Sequence, residues 1–213
     1  MRLIDMTIND FVEEIDSSSP APGGGSVAAL ASDIGIGLAR MMAHLSFGKK
    51  KYEALDKDIK EEFQSRFEKL AKIREELSKL VDEDTNSFNE FMKVIKMPQD
   101  TFKQITQRQT LLSEATLNSI KVPYKTAYLS LEAMRELEFI VDNGNKNAIT
   151  DIGVGTLMLC TGLEGAILNT KVNLMNLEDK ELAKKYRENC VEMLSEGKDI
   201  RDNILSKIHS VIE

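Results

Sequence analysis

The 213-residue chain has no tryptophan, only four prolines, two cysteines and two histidines, and each scarcity removes a class of protein. Cys160 and Cys190 sit in helical patterns without paired spacing, so no disulfide framework or cysteine zinc site is readable and a reducing compartment is expected. His44 and His209 belong to no two-histidine helix motif, and no metal site is expected. Basic residues are outnumbered, 28 against 35 acidic, and the formal charge of −7 disfavours a nucleic-acid surface. An anionic ligand must therefore meet a local basic patch. Residues 1–10 lack an uninterrupted apolar run, so no signal peptide is read and a cytoplasmic location is expected.

What is present forms helices. Leu, Lys, Glu, Ala and Met dominate, β-branched residues are scattered, and the length suits one helical domain over 1–213. Thr7 starts a helix whose apolar face is Ile8, Phe11, Val12 and Ile15. A shaped loop, Pro20-Ala21-Pro22-Gly23-Gly24-Gly25-Ser26, feeds a nearly apolar segment from Val27 to Leu45. That segment has the length of a membrane span, but Asp33 and Arg40 would be costly in a bilayer, which predicts a buried helix and no membrane. Its Gly35, Ala39 and Ala43 repeat every fourth position and permit close helix approach, inside a bundle or across a dimer. Met41, Met42, Met158 and Met175 read as core fillers.

A long helix runs from about Asp56 to Met97 and stops before Pro98. Its seam includes Leu55, Phe63, Leu70, Leu77, Val81, Phe88, Phe91 and Ile95, with Asp84 on one step. A fourth helix begins near Thr101, meets a kink or break at Pro123 and ends near Val141, with Asn143-Gly144 as C-cap. The segment after Asn145 is again rich in small residues as far as Leu174, and an amphipathic helix covers 179–212. The expected fold is all-α: an antiparallel bundle of long helices with two buried small-residue-rich helices.

Three features can carry chemistry. Asp84, on a seam that predicts burial, needs either a structural partner from a neighbouring helix or a function. Asp151 heads a row through Gly155, Gly162, Ala166, Asn169 and Asn173 that shares one helix face and leaves a slot for a flat heterocycle, unless Asp151 merely caps its helix. The Gly23-Gly24-Gly25-Ser26 turn offers backbone N–H groups at a helix start, although it lacks the Gly-Lys-Ser/Thr of a phosphate loop. Beside these, Lys49, Lys50 and Lys51 follow the second helix, where its C-terminal dipole already favours positive charge.

Ser19-Pro20-Ala21-Pro22-Gly23-Gly24-Gly25-Ser26-Val27-Ala28-Ala29 resembles the signature of the formimidoyltetrahydrofolate cyclodeaminase and methenyltetrahydrofolate cyclohydrolase family. Further matches are Gly48-Lys49-Lys50-Lys51-Tyr52, Asp82 to Phe88, Val122-Pro123, Gly144 to Asp151, Gly165 to Asn169, and Val172-Asn173-Leu174. Two departures stand out: the residue at Asn147 varies in the family, and Thr150 replaces a commoner serine.

The resemblance implies an all-helical homodimer with active sites at or near the subunit interface, a tetrahydrofolate substrate, and no cofactor beyond it. It makes Asp151 and Asp84 candidates for stabilising the cationic N5–N10 bridge and activating water. Lys50 becomes a proton donor or a holder of the glutamate tail. Pro22, Gly23, Gly24, Gly25, Ser26, Lys49, Asn145, Asn147, Asn169 and Asn173 become substrate-binding candidates. Because no formiminotransferase segment is visible in the sequence, methenyltetrahydrofolate cyclohydrolase is the expected activity. The cyclodeaminase is the alternative, and a noncatalytic folate-binding module is the alternative of another class. A separate formiminotransferase or folate dehydrogenase is the expected protein partner.

Overall fold

Capping signals written in the sequence set several helix starts. A computed structural model describes residues 2–213, and among these residues there are seven α-helices and no strand. They are α1 (Ile8–Ile15), α2 (Gly24–His44), α3 (Lys50–Glu53), α4 (Lys57–Ile95), α5 (Phe102–Asn143), α6 (Ile149–Asn173) and α7 (Lys180–Ile212). Thr7 caps α1 by accepting the Asp10 N–H at 3.1 Å, Thr101 and Gln104 form a capping box on α5, and Asp179 caps α7. Gly48, with φ of +71°, supplies the left-handed residue that turns the chain from α2 into α3.

Side-chain pairs fix the directions of packing. α2 is antiparallel to α4, since Ser26 meets Val81 while Arg40 meets Phe67. α4 is antiparallel to α5 through Glu76–Lys125 and Arg66–Glu136. α6 is antiparallel to α7, with Gly153 against Ile208 and Glu164 paired to Lys198. α5 runs parallel to α7, with Tyr124 edge-on to Tyr186 and Asp142 paired with Lys207, and parallel to α2, with Ser130 beside Ser32 and Gly144 beside Met42.

The closest packing joins α2 to α6. A β-carbon on Gly35 would lie 2.7 Å from the Gly155 carbonyl oxygen, and one on Gly155 would lie 2.8 Å from that of Gly35. One on Gly162 would lie 1.9 Å from Ser32 Oγ and 2.6 Å from the Ala28 carbonyl oxygen. The small-residue rows are thus used against each other within the chain. They are not left over for a second subunit.

Both charges on α2 face α4. Buried Asp33 pairs with Arg74 at 2.9 Å and accepts from Ser78 Oγ at 3.0 Å; burial pushes its carboxyl above the ordinary range, with Arg74 and Ser78 opposing. Arg40 lies 3.8 Å over the Phe67 ring and donates to the Phe67 carbonyl. Two helical segments, Gly24–His44 and Lys146–Asn176, are long and apolar enough to cross a membrane, yet 61% and 56% of their apolar windows are buried inside the fold.

Several sequence expectations need correction. On α1 only Phe11 is buried, while Ile8 is 87% exposed and Val12 and Ile15 also face outward. Pro123 does not break α5, which continues to Asn143. The α4 seam loosens after Ser87: Phe88 and Phe91 are half-buried and Ile95 is exposed. His44, which its apolar helix predicts to be a core or interface histidine, is exposed and sets its ring edge-on to Phe67 at 4.8 Å. Met42 is core, but Met41 and Met175 are exposed.

The glycine contact has a testable sign. Helix propensity alone would make Gly155→Ala stabilising by about 1 kcal/mol. The collision with the Gly35 carbonyl reverses this, and the variant is expected to lose about 1–3 kcal/mol in urea unfolding at fixed protein concentration. A gain in stability would show that the two backbones are not in contact.

Candidate functional site

Close approach of α2, α4 and α6 creates a cavity of about 350 Å³ at one end of the bundle, lined by the 20–25 loop, Asp84, Phe88, Asn169 and Asn173 among others. The start of α2 has no side-chain cap of its own, because Gly23 occupies that position. Asp84, reaching over from α4, takes this role: it accepts from the Ser26 backbone N–H, with Ser26 Oγ 3.4 Å from Oδ2. The single Ser26 hydroxyl hydrogen has a nearer acceptor in the Val81 carbonyl at 2.7 Å. Burial pushes the Asp84 carboxyl above the ordinary carboxylate range, and the Ser26 bonds only partly oppose this. Both readings of Asp84 are therefore physically present, a structural partner and a perturbed acid at a cavity wall.

Glycine is required where the loop meets this carboxylate. A β-carbon at Gly25 would lie 2.1 Å from Asp84 Oδ1, and one at Gly24 would lie 3.3 Å from Asn169 Nδ2. Asp82, two residues before Asp84, accepts the Leu3 N–H at 2.6 Å and so anchors the N-terminal turn.

The other candidates gather elsewhere. Lys49, Lys50, Asn145 and Asn147 line a second cavity of about 340 Å³, together with Lys51, Tyr52 and Lys146. Asn145 donates from Nδ2 to the Leu45 carbonyl at 2.8 Å and accepts the Asn147 N–H at 3.1 Å, so its side chain staples the α5–α6 turn to the end of α2. Lys146 donates to the last carbonyls of α5, and burial lowers its pKa. Asp151 lies half-buried in the first turn of α6, at this same end.

One chain therefore does not bring Asp84 and Asp151 together. Asp151 and Asn169 are both on α6, roughly 27 Å apart at about 1.5 Å per residue. The slot expected along the row between them is absent, since the faces of Gly155 and Gly162 are filled by α2. Pro22 and Ser26 are buried beside the first cavity without being part of its lining.

Sequence reasoning missed Thr85, Ser119 and Asn176 at the first cavity and Tyr52 and Lys146 at the second. For Ser119 a signal existed in Pro123. A proline inside a helix leaves the carbonyl four residues earlier without its partner, and Asn173 Nδ2 donates to the Ser119 carbonyl at 2.6 Å. A larger cavity of about 840 Å³ adjoins the first through Phe91 and Asn176, between the α4–α5 tip and the start of α7.

Comparison with known proteins adds independent findings. The family model described as formiminotransferase-cyclodeaminase matches residues 7–192. The chain is 30% identical over 206 residues to a methenyltetrahydrofolate cyclohydrolase of Methylorubrum extorquens, covering 97% of both chains. It is also 30% identical over 196 residues to a formimidoyltransferase-cyclodeaminase of Rattus norvegicus, covering 92% of this chain but 36% of that protein's length. In fold it resembles the solved formiminotetrahydrofolate cyclodeaminase of Thermotoga maritima, with TM-score 0.76 and 22% identity over 97% of this chain and 95% of the other.

The raised pKa of Asp84 predicts a pH dependence. A carboxyl whose folded pKa exceeds its unfolded value of 3.8 contributes stability below that value, and this contribution is lost as pH rises through the folded pKa. Relative to Asp84→Asn, the wild-type chain should therefore be most stable at about pH 4 and lose ground toward pH 7, as read by urea unfolding of both proteins. The reverse trend would place the Asp84 pKa below the ordinary range.

Proposed function

As the chain belongs to the formiminotransferase-cyclodeaminase family, we propose that it hydrolyses 5,10-methenyltetrahydrofolate reversibly to 10-formyltetrahydrofolate. The observation that carries this reading is Asp84, a carboxylate with a raised pKa at the wall of a cavity built by a glycine loop and two asparagines. The named cyclohydrolase that matches over 97% of both chains supports the choice of reaction.

The chemistry suits such a group. The substrate carries an amidinium cation between N5 and N10, which a buried carboxylate stabilises. Water adds to the bridging carbon while the carboxylate accepts its proton; the carbon–N5 bond then breaks as N5 takes up a proton. Substrate cation and water become 10-formyltetrahydrofolate and one released proton. A raised pKa makes Asp84 a stronger base than an ordinary aspartate. The bridging carbon keeps its oxidation level throughout, so the reaction as written draws on no redox group.

The alternative reading is the cyclodeaminase, favoured by the similarity to the rat protein. There N10 displaces ammonia from a 5-formimino group, and the leaving nitrogen needs a proton. Lys50 is the candidate donor in that case, whereas in the cyclohydrolase it holds the carboxylates of the glutamate tail with Lys49. A separate formiminotransferase or folate dehydrogenase would supply or consume these folates. The cytoplasm is the compartment this reading implies.

Assembly completes the proposal. The lysine cavity and the Asp84 cavity occupy opposite ends of the α2–α6 pair, and both helices leave apolar side chains exposed between them: Ile34 and Met41 on α2, Val154, Leu157 and Leu168 on α6. A homodimer with its two-fold axis in this face and crossing the helices covers these side chains. It also sets the Asp84 end of one copy against the Lys50–Asp151 end of the other, making two equivalent composite sites.

Two experiments test these statements. Methenyltetrahydrofolate absorbance should fall with the methenyl substrate, and Lys50→Met should raise KM more than it lowers kcat. Efficient ammonia release from the formimino substrate with a collapse of kcat in that variant would favour the deaminase, and binding without turnover the noncatalytic module. Asp84→Asn and Asp151→Asn are each expected to lose roughly 10²–10⁴-fold in turnover. Mixed and allowed to exchange subunits, they should regain about a quarter of wild-type activity, because half the dimers then carry one intact site. No recovery would overturn the composite arrangement.

A further inference from the structure

Pro123 lies buried in the middle of the 42-residue helix α5. It has no N–H, so the Ser119 carbonyl one turn earlier has no helical donor. That carbonyl is not orphaned, for Asn173 Nδ2, at the last residue of α6, donates to it at 2.6 Å. A carbonyl oxygen only accepts, so this bond settles which end of the Asn173 amide is nitrogen. The Asn173 oxygen is left for the cavity that the residue lines.

The neighbouring polar groups are oriented in the same sense. Asn169 Nδ2 donates to the Gly165 carbonyl at 2.9 Å. The Ser119 and Ser87 hydroxyls donate their single hydrogens to the carbonyls of Thr116 at 2.8 Å and Asp84 at 2.9 Å. The side chains around this cavity therefore present mainly lone pairs, and such a wall recognises N–H groups. The ring of a tetrahydropterin carries several N–H donors, whereas its glutamate tail carries carboxylates that an acceptor wall repels.

We propose that Pro123 is a positioning residue: by freeing the Ser119 carbonyl it fixes Asn173 as an acceptor for the N–H edge of the substrate ring. The ring assignment rests on the folate reading given above, while the coupling of Pro123 to Asn173 stands on the hydrogen bond alone. Ring recognition falls to α6, on the wall facing Asp84 of α4, and the tail is left to the lysines. Replacing Pro123 by alanine restores an N–H that competes with Asn173 for the same carbonyl.

The test is a double-mutant cycle of Pro123→Ala, Asn173→Ala and the double variant, with kinetics on methenyltetrahydrofolate and side-chain amide hydrogen exchange followed by NMR. Pro123→Ala should keep or raise Tm, since proline is unfavourable inside a helix. It should also raise KM about tenfold with kcat changed by less than about threefold, and expose the Asn173 amide protons to fast exchange. Added to Asn173→Ala, it should change KM no further. An unaltered KM in Pro123→Ala, multiplying effects in the double variant, or protected Asn173 amide protons in Pro123→Ala would each overturn the proposal. A wild-type chain inert toward both folates would instead sink the functional reading and the ring assignment, leaving the exchange measurement to decide whether Pro123 governs Asn173.

Discussion

Where α2 crosses α6, the carbonyl oxygens of Gly35 and Gly155 each lie within 2.8 Å of the point where the other residue would carry a β-carbon. Main chain therefore rests on main chain, without the side-chain layer that normally keeps helices 8–10 Å apart. The register that this contact imposes sets Gly24 beside Asn169 at one end and the α2–α3 turn beside Asn145 at the other. α4 then docks on the opposite side of α2, delivering Arg74 to Asp33 and Asp84 to Ser26. The cavity exists because three helices meet around a helix start that carries no side chain.

The electrostatics follow from the same geometry. In a chain of net charge −7, four lysines, Lys49, Lys50, Lys51 and Lys146, gather at one end of the α2–α6 pair. At the other end stand a perturbed carboxylate and oriented amides. These are unlike halves, suited respectively to the carboxylates of a ligand and to its cationic or N–H-bearing part. Within one chain the two halves stand apart, and apolar side chains of α2 and α6 are exposed between them.

Helix positions were legible in the sequence because periodicity and capping are local: Thr7, Thr101 and Asp179 each cap as their residue types predict. The burial of α2 was legible because Asp33 and Arg40 would be costly in a bilayer, although their partners Arg74 and Phe67 were not. Three-dimensional questions failed in predictable ways. The row from Asp151 to Asn173 does share one helix, but periodicity says nothing of what fills the gap, and here α2 does. Asn145 lines the second cavity as its motif suggests, and its amide also holds the turn, which no motif announces. Pro123 predicts a kink or break, yet α5 continues, and the carbonyl left free at Ser119 is met by Asn173 of α6, fifty residues beyond the proline, where no local rule reaches.

Asp84 joins two duties that most proteins keep on separate residues. It closes the open start of α2, and it stands as the ionisable group on the cavity wall. Replacements that would cap the helix equally well, such as asparagine or serine, carry no charge; glutamate keeps the charge, but its extra methylene has no room beside Gly25, where the carboxylate already fills the space of a β-carbon. A substitution here therefore alters the helix start and the cavity wall together, and neither can be adjusted alone.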